Sequence, residues 1–303
     1  MSMLEKALEK ADEKKISIKN DTFVDVIEDS EDIRVDELST EAAIQPEKIK
    51  ADVLLEPIIK NESQDIIRFN WDYLKEHGFI QLDDLHSQIS EEYRNIKRPL
   101  VTNAVGSRKS EIENSNLILV TSSVPNEGKT FTAINLAFSI ATELDKEVLL
   151  IDADVAKPSF EKVLGIKSDI GLIDFLETDD LTLSDIILQT EIPGLRIITA
   201  GKSHKLSTEL LASNKMIALS KELSERYADR IVIFDTPPLL ATTQAEVLAS
   251  QMGQIVLVVG AESTSKGLIN ESAKKLQRCP GVVLSILNKA SAAGSGSYGY
   301  GHY

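Results

Sequence analysis

The chain has 303 residues, 42% of them hydrophobic, which suffices for one domain with a sizeable core plus an appendage. Its 33 Lys and Arg against 48 Asp and Glu give a net charge of −15, which argues against a nucleic-acid-binding surface, and its single cysteine excludes an internal disulfide. The four histidines show no metal-ligand spacing, no apolar run approaches the roughly 20 residues of a membrane span, and the charged N-terminus is unlike a signal peptide, so a cytoplasmic protein is predicted.

Residues 1–70 form a predicted N-terminal extension that is helical and partly disordered. Residues 3–11 place apolar side chains on one helical face, which fits either a short solvated helix or a docking helix for a partner. Eight acidic residues and one basic residue lie between Asp21 and Glu37, a composition typical of a flexible linker. Further along, "LDDLHSQISEEYRNIKRPL" predicts a helix that ends at Pro99.

Residues 71–290 are predicted to form one domain in which, from Leu117 onward, short apolar strands alternate with helices. The first of these helices is expected over residues 129–144. The predicted strands are LILVTS, EVLLIDAD, LRIITAG, RIVIFDTPP, QIVLVVGAE and GVVLSILNK. This order predicts an α/β fold of the P-loop NTPase type, with a mostly parallel sheet covered by helices on both faces in three layers, α/β/α.

The first strand runs into "SSVPNEGKTF", which contains a candidate phosphate loop. Gly128, Lys129 and Thr130 fit the pattern G-x-x-x-x-G-K-[ST], except that Ser123 replaces the first glycine. Backbone amides and the helix N-terminus would hold phosphate oxygens, Lys129 would reach the β/γ-phosphates, and Thr130 would ligate Mg²⁺. The nucleotide-binding residues predicted from this stretch are Val124, Pro125, Asn126, Glu127, Gly128, Lys129, Thr130 and Phe131.

Three carboxylates follow buried strands. Asp152 and Asp154 come after "VLLI", and Asp235 follows "IVIF" at the position of a Walker B acid. Because carboxyl ends of parallel strands meet at one sheet edge, Thr130, Asp152 and Asp235 are predicted to hold Mg²⁺. The stretch "SILNKAS" resembles a guanine-binding N-K-x-D motif whose Asp is missing, so Asn288 is either an adenine contact or simply the end of a strand.

These motifs, together with the tail tyrosines Tyr298, Tyr300 and Tyr303, resemble the bacterial tyrosine kinases (BY-kinases) of polysaccharide synthesis, and most of all the autokinases of XrtA-associated exopolysaccharide systems. The resemblance implies ATP and Mg²⁺ as cofactors, and autophosphorylation of the flexible tail, residues 291–303. It also implies catalytic roles for Lys129, Asp152 and Asp154, with Asp154 orienting or deprotonating the tyrosine hydroxyl.

The same resemblance implies partners. Family members form homo-oligomeric rings through an E-x-x-R-x-x-R motif, which Glu91, Arg94 and Lys97 match except for the final lysine, and the alternative is a solvated helix face. A separate membrane-anchored chain-length determinant, or co-polymerase, is implied, with a cognate tyrosine phosphatase. The kinase would then lie peripherally at the inner face of the membrane and regulate exopolysaccharide chain length and export.

Two other functions remain open from the sequence. One is a P-loop ATPase that acts as an assembly switch, like the cell-division and plasmid-partition ATPases. Those proteins carry an extra lysine early in the loop, where this chain has Val124. The other is a small-molecule kinase, which would need an arginine-rich lid that the sequence does not offer.

Overall fold

A seven-stranded sheet forms the centre of the computed structural model, which describes residues 66–106 and 108–290. The strands are β1 (Leu117–Ser122), β2 (Glu147–Asp152), β3 (Leu188–Gln189), β4 (Leu195–Ile198), β5 (Arg230–Asp235), β6 (Gln254–Gly260) and β7 (Val282–Asn288). Their order is β3-β4-β2-β5-β1-β6-β7, and every pairing is parallel except that of β3 with β4. The predicted mostly parallel sheet is confirmed; the two-residue β3 is too short to leave a sequence pattern.

Helices cover both faces of this sheet. They are α1 (Trp71–Glu76), α2 (Gln88–Val105), α3 (Lys129–Ala141), α4 (Phe160–Leu164), α5 (Leu172–Glu177), α6 (Leu183–Ile186), α7 (Ser207–Leu211), α8 (Asn214–Glu225), α9 (Gln244–Ala249) and α10 (Lys266–Leu276). Strand β1 shows how the layers form: Ile118 and Val120 join the core under α1–α4, while Leu117 and Leu119 join the core under α5–α10. Because alternate side chains point to opposite faces, one fully buried strand supplies both cores.

Helix α3, which follows the phosphate loop, lies inside the protein. All its residues from Thr132 to Ala141 are buried. It ends at Ala141 with Thr142 as its C-cap, three residues before the predicted end, and Leu144 beyond it is 91% exposed. Leu144 continues the apolar spacing of the helix in the sequence, but it does not lie on the packed face of α3. This is why the predicted helix was three residues too long.

Helix α2 continues through Pro99 to Val105, so the predicted end at Pro99 is wrong. A proline inside a helix removes one backbone hydrogen bond and usually kinks or ends the helix. Beyond this proline, Leu100, Asn103 and Ala104 are buried. Because burial of this helical face stabilises the last turn, tertiary packing offsets the local loss.

The segment that precedes α1 is tied to the domain. Ile67 forms a β-bridge with Thr190, and Glu191 Oε1 accepts from Phe69 N at 2.7 Å and from Trp71 Nε1 at 2.9 Å. Asn70 caps α1 by accepting from the Tyr73 amide. Contacts with the domain therefore start a few residues before the boundary that was placed at residue 70.

Some predicted features lie outside the described residues. These are the N-terminal amphipathic helix, the acidic linker and the tyrosine-rich tail at 291–303. Among the residues that are described, no helix has both the length and the apolar composition needed to cross a membrane.

A buried amide joins α2 to the sheet and yields a stability prediction. Gln254, at the start of β6, accepts from Asn103 Nδ2 at 2.9 Å and donates to the carbonyl oxygens of Leu100 and Ser115. Gln254→Leu should lower the free energy of unfolding by about 2 kcal/mol, because it leaves buried polar groups without partners. Urea denaturation measures this, with the exposed Lys221→Ala as the control; equal stability of the two variants would contradict it.

Candidate functional site

The phosphate loop, residues 123–128, connects β1 to α3 and contains two left-handed residues. Asn126 has φ 68° and Gly128 has φ 99°. A Cβ atom on Gly128 would lie 2.0 Å from Asn288 Nδ2, so conformation and space both require glycine there. Ser123 has no positive φ, which explains why serine can replace the first glycine of the pattern. Its buried hydroxyl instead accepts from Ser272 Oγ at 2.9 Å.

A carboxylate from within the loop holds the loop in place. Glu127 is 2% exposed, and its Oε2 accepts from the Val124 amide at 2.7 Å. Its Oε1 accepts from the Gly260 amide at 3.2 Å and from the Thr264 hydroxyl. The Glu127 side chain therefore braces the loop against the end of β6, and the amide of Val124, a predicted nucleotide-binding residue, already has a partner.

The end of β7 braces the loop from the same side. Asn288 Nδ2 donates to the Glu127 carbonyl oxygen at 2.8 Å, and Lys289 Nζ donates to the Asn126 carbonyl oxygen at 2.6 Å. The amide nitrogen of Asn288 is thus committed to the loop backbone. A contact with the nucleotide base stays a prediction for its side-chain oxygen.

Sheet register brings the predicted carboxylates together. Asp152 and Asp235 are register partners at the ends of the neighbouring strands β2 and β5. Lys129 Nζ lies 2.6 Å from Asp154 Oδ2 and 3.9 Å from Asp235 Oδ1. Thr130 Oγ1 donates to Asp235 Oδ2 at 2.6 Å. The phosphate lysine and the predicted magnesium ligands therefore form one contiguous cluster.

Asp152 is held by backbone amides. Its Oδ2 accepts from Ser159 N at 3.0 Å and Phe160 N at 3.2 Å, where α4 begins, and its Oδ1 accepts from Asp154 N at 3.2 Å. Both carboxylate oxygens therefore already have protein donors. Asp152 orients the segment that carries Asp154, and its contact with a cation stays a prediction.

Burial perturbs the acids of this cluster. Burial, reinforced by the neighbouring Asp235, raises the pKa of Asp152 to about 7 despite its amide donors. Burial also raises the pKa of Asp235 to about 6, although Lys129 and Thr130 oppose the rise. Burial alone would lower the pKa of Lys129, but Asp235 and Asp154 reverse this and raise it. Asp152 therefore keeps part of its proton near neutral pH and Asp235 does so mainly below it, and an added cation would favour the ionised form of both acids.

The residues present fit a magnesium ion that binds with a nucleotide. Asp235 Oδ1 is buried and has no hydrogen-bond partner within the described structure, so it can accept a cation. The described residues contain no cluster of three or more His, Cys, Asp or Glu side chains arranged to hold a metal on their own. Magnesium commonly takes only one or two protein oxygens and completes its shell with water and phosphate.

An open cleft of about 570 Å³ lies over this cluster. The residues that line it are Tyr73, His77, Phe79, Pro125, Asn126, Gly128, Lys129, Thr130, Phe131, Asp154, Ala156, Lys157, Ser159, Val163, Pro237, Pro238, Thr242 and Lys289. Seven of them were predicted as nucleotide-binding or catalytic, whereas Tyr73, His77 and Phe79 were not. The stretch "FNWDYLKEHGFI" is rich in aromatic residues, but only its packing against α3 and α4 reveals that it reaches the cleft.

The three residues predicted to act in oligomerisation lie in different environments. Glu91 and Arg94 are exposed and form an ion pair with each other. Lys97 is buried instead: its ammonium donates to the Ser139 carbonyl oxygen and lies 2.9 Å from Glu143 Oε1. The alternative of a solvated helix face is wrong for Lys97, whose long side chain bridges α2 to α3 within the subunit, and its oligomeric role stays a prediction. An oligomeric role for Glu91 and Arg94 stays a prediction.

Sequence comparison relates the chain to known proteins. Residues 116–278 match the AAA domain family. EpsB of Ralstonia nicotianae is 34% identical over 187 residues, which are 62% of this chain but 24% of EpsB, so the chain spans about a quarter of that relative. The tyrosine-protein kinase YwqD of Bacillus subtilis is 30% identical over 226 residues, which are 74% of this chain and 91% of YwqD.

Comparison with solved structures relates the chain to the same kind of protein as the sequence comparison does. The kinase domain of the Escherichia coli tyrosine kinase ETK superposes with a TM-score of 0.60 at 25% identity, covering 81% of this chain and 98% of that domain. The match with YwqD covers most of both sequences, and the match with ETK covers nearly the whole of that kinase domain. This chain therefore belongs to the bacterial tyrosine-protein kinase family.

Proposed function

We propose that the chain is an ATP-dependent protein-tyrosine autokinase that phosphorylates Tyr298, Tyr300 and Tyr303. The observation that carries this proposal is the 2.6 Å contact between Lys129 Nζ and Asp154 Oδ2 at the cleft beside the phosphate loop. A lysine suited to phosphates and a carboxylate suited to a phenolic proton meet at one point. Membership of a tyrosine-protein kinase family supports the same reaction.

The phosphate loop would bind the nucleotide. The backbone amides of Gly128, Lys129 and Thr130 lie at the N-terminus of the 13-residue helix α3, where the helix dipole favours negative charge. Glu127 and Asn288 fix the loop before any ligand arrives, so little conformational freedom is lost on binding. When ATP binds, the Lys129 side chain would move so that its ammonium group leaves Asp154 and contacts the β/γ-phosphates.

Thr130 and Asp235 would hold Mg²⁺ directly, and Asp152 would act through water. The ion would neutralise charge on the phosphates when it is bound. The buried position of Asp235 keeps bulk water away from its carboxylate, which strengthens its attraction for a cation. Thr130 changes role in this scheme, because its hydroxyl donates to Asp235 in the ligand-free protein.

Asp154 would interact with the tyrosine that accepts the phosphoryl group. Once Lys129 turns to the phosphates, the Asp154 carboxylate is free to accept a hydrogen bond from a tyrosine hydroxyl. A free phenol has a pKa near ~10, so almost none is ionised at neutral pH and a nearby base is useful. Transfer breaks the bond between the γ-phosphorus and the bridging oxygen of ATP, forms a bond to the tyrosine oxygen, and leaves the phenolic proton on Asp154.

The cellular role is also part of the proposal. By the family resemblance, the kinase would act on exopolysaccharide chain length and export, as a homo-oligomer at the inner face of the membrane. Its partners would be a membrane-anchored co-polymerase and a cognate tyrosine phosphatase. Glu91 and Arg94, exposed on α2, are the residues to examine for contacts between subunits.

Lys129→Met should abolish phosphotyrosine formation, because methionine keeps an unbranched side chain of nearly the same length but removes the charge that neutralises the phosphates. The measurement is incubation with Mg-ATP followed by phosphotyrosine detection, with circular dichroism to verify folding. Lys221→Met, an exposed lysine on α8, is the matched control. Undiminished phosphorylation in Lys129→Met would sink the catalytic assignment.

A triple variant with Tyr298, Tyr300 and Tyr303 changed to Phe should lose at least about nine-tenths of its phosphotyrosine while still binding Mg-ATP. Phenylalanine keeps each ring and removes only the acceptor hydroxyl. Mass-spectrometric phosphosite mapping of wild type and variant provides the measurement. ATP hydrolysis with no phosphate on these tyrosines in the wild type would instead favour the ATPase switch.

Binding of Mg-ADP should release about one proton from the acid cluster near pH 6.5 and almost none near pH 8.5, because a cation favours the ionised acids. Protons are released because the pKa values of Asp152 and Asp235 are raised to about 7 and 6. At the lower pH these acids still carry protons that the cation can displace, and at the higher pH they are already ionised. Calorimetry in buffers of different ionisation enthalpy measures the release. Asp152→Asn should reduce it, and equal release at both pH values would refute the account.

A further inference from the structure

Five apolar and aromatic side chains form one side of the cleft that contains Lys129 and Asp154. They are Tyr73, His77, Phe79, Phe131 and Val163, here called the aromatic wall. Phosphoryl transfer itself requires charged and polar groups, and binding of phosphates gives no reason for such a surface. The wall therefore indicates a second ligand element that is flat and apolar.

The aromatic wall is rigid. The rings of Tyr73 and His77 stack with centroids 3.8 Å apart and an interplanar angle of 20°, and His77 Nδ1 lies 2.8 Å from the Tyr73 carbonyl oxygen. Phe79 packs on Phe131 with centroids 4.8 Å apart. The residue after Phe79 is fixed too, since the buried Ile80 amide donates to Asn135 Oδ1 on α3 at 2.8 Å.

The wall lies on the β2 side of the phosphate loop. Helix α1 is attached to α4 through the Asn70 amide, which donates to the Leu164 carbonyl oxygen at 3.0 Å. Helix α4 carries Val163 and follows β2, whose end leads to Asp154. Sheet order puts β2 and β7 on opposite sides of β1, so Asn288, the predicted base contact, lies on the other side of the loop. This placement favours the phosphoryl acceptor over the adenine base.

The geometry points to the aromatic wall as the binding subsite for the ring of an acceptor tyrosine from residues 291–303. The ring packs against Tyr73, and its hydroxyl faces Asp154. This inference rests on the proposed kinase function and deepens it, because it names the residues that would select an aromatic acceptor. A serine or threonine side chain has no ring to pack against the wall, so such acceptors would bind poorly.

Three observations select the tail as the occupant. Lys289 lines the same cleft, and in the sequence only Ala290 separates it from residue 291, so the segment is joined directly to a cleft residue. Tyr298 lies eight positions after Ala290, within about 26 Å of extended chain. The segment contains no Asp, Glu, Lys or Arg side chain, so it can approach the acidic cluster without repulsion between side-chain carboxylates.

The test uses the full chain with Tyr298, Tyr300 and Tyr303 changed to Ala, so that its own tail cannot compete. A labelled peptide with the sequence of residues 291–303 is the added acceptor. In this background, Tyr73→Ala should raise the KM for the peptide roughly 3- to 10-fold, the range expected for one lost aromatic contact. The Kd for Mg-ADP and the kcat at saturating peptide should stay within about twofold, since Tyr73 is assigned no contact with the nucleotide.

Two variants make this result interpretable. Lys75→Ala lies on the same short helix with its side chain exposed and outside the cleft lining, and should leave the KM unchanged. Val163→Ala trims the wall from α4 and should raise the KM in the same direction, which covers the case in which Tyr73→Ala fails to fold. A peptide with Phe in place of its tyrosines should bind, by fluorescence anisotropy, more tightly than one with Ala, and this difference should shrink in Tyr73→Ala.

The outcomes separate the alternatives. Weaker Mg-ADP binding with an unchanged peptide KM would make the wall a base-binding surface and overturn the inference. Unchanged values for both ligands would also overturn it. If wild type phosphorylates no tyrosine but binds the Phe peptide in a Tyr73-dependent manner, the kinase proposal fails while the aromatic subsite stands.

Discussion

The phosphate loop keeps its shape because a carboxylate from inside it is buried with its hydrogen bonds satisfied. Glu127 joins the Val124 amide to the end of β6, and the Asn288 amide joins the Glu127 carbonyl to the end of β7. Gly128 is confined between these contacts, with no room for a Cβ atom. Each such hydrogen bond contributes only about 1 kcal/mol net, but loss of the donors to Glu127 would leave its buried carboxylate without partners. The loop is therefore a fixed part of the sheet edge.

The neighbouring acids make the ligand-free site electrostatically incomplete. Asp152 and Asp235 are buried side by side, and their raised pKa values reflect mainly the cost of burying negative charge there. Lys129, whose Nζ lies 3.9 Å from Asp235 Oδ1, offsets part of this cost. A cation and a phosphate group together would restore the balance, the cation by contacting the acids and the phosphate by engaging the lysine. The same uncompensated negative charge would thus favour binding of the cation and place the cation where it assists phosphoryl transfer.

Much of this was predictable from sequence because it depends on local pattern. Apolar runs of about four or five residues indicated most of the strands, and strand ends placed Asp152 and Asp235 at one edge. Local pattern failed where tertiary packing overruled it. Pro99 does not end α2, because the turns beyond it are buried. Lys97 is not on an exposed face, because its ammonium finds Ser139 and Glu143 on the next helix.

The sequence by itself determined the fold class, the phosphate loop and the identity of the cationic and acidic groups, since spacing along the chain fixes which residues follow each strand. Only the tertiary structure decided which of these groups touch. It showed that the Glu127 side chain and the Asn288 amide nitrogen brace the loop, and it brought Phe79 against Phe131 on α3 beside the cleft. These contacts join residues separated by tens to more than a hundred positions, and no local pattern records such a distance. They depend on how helices pack against the two faces of the sheet.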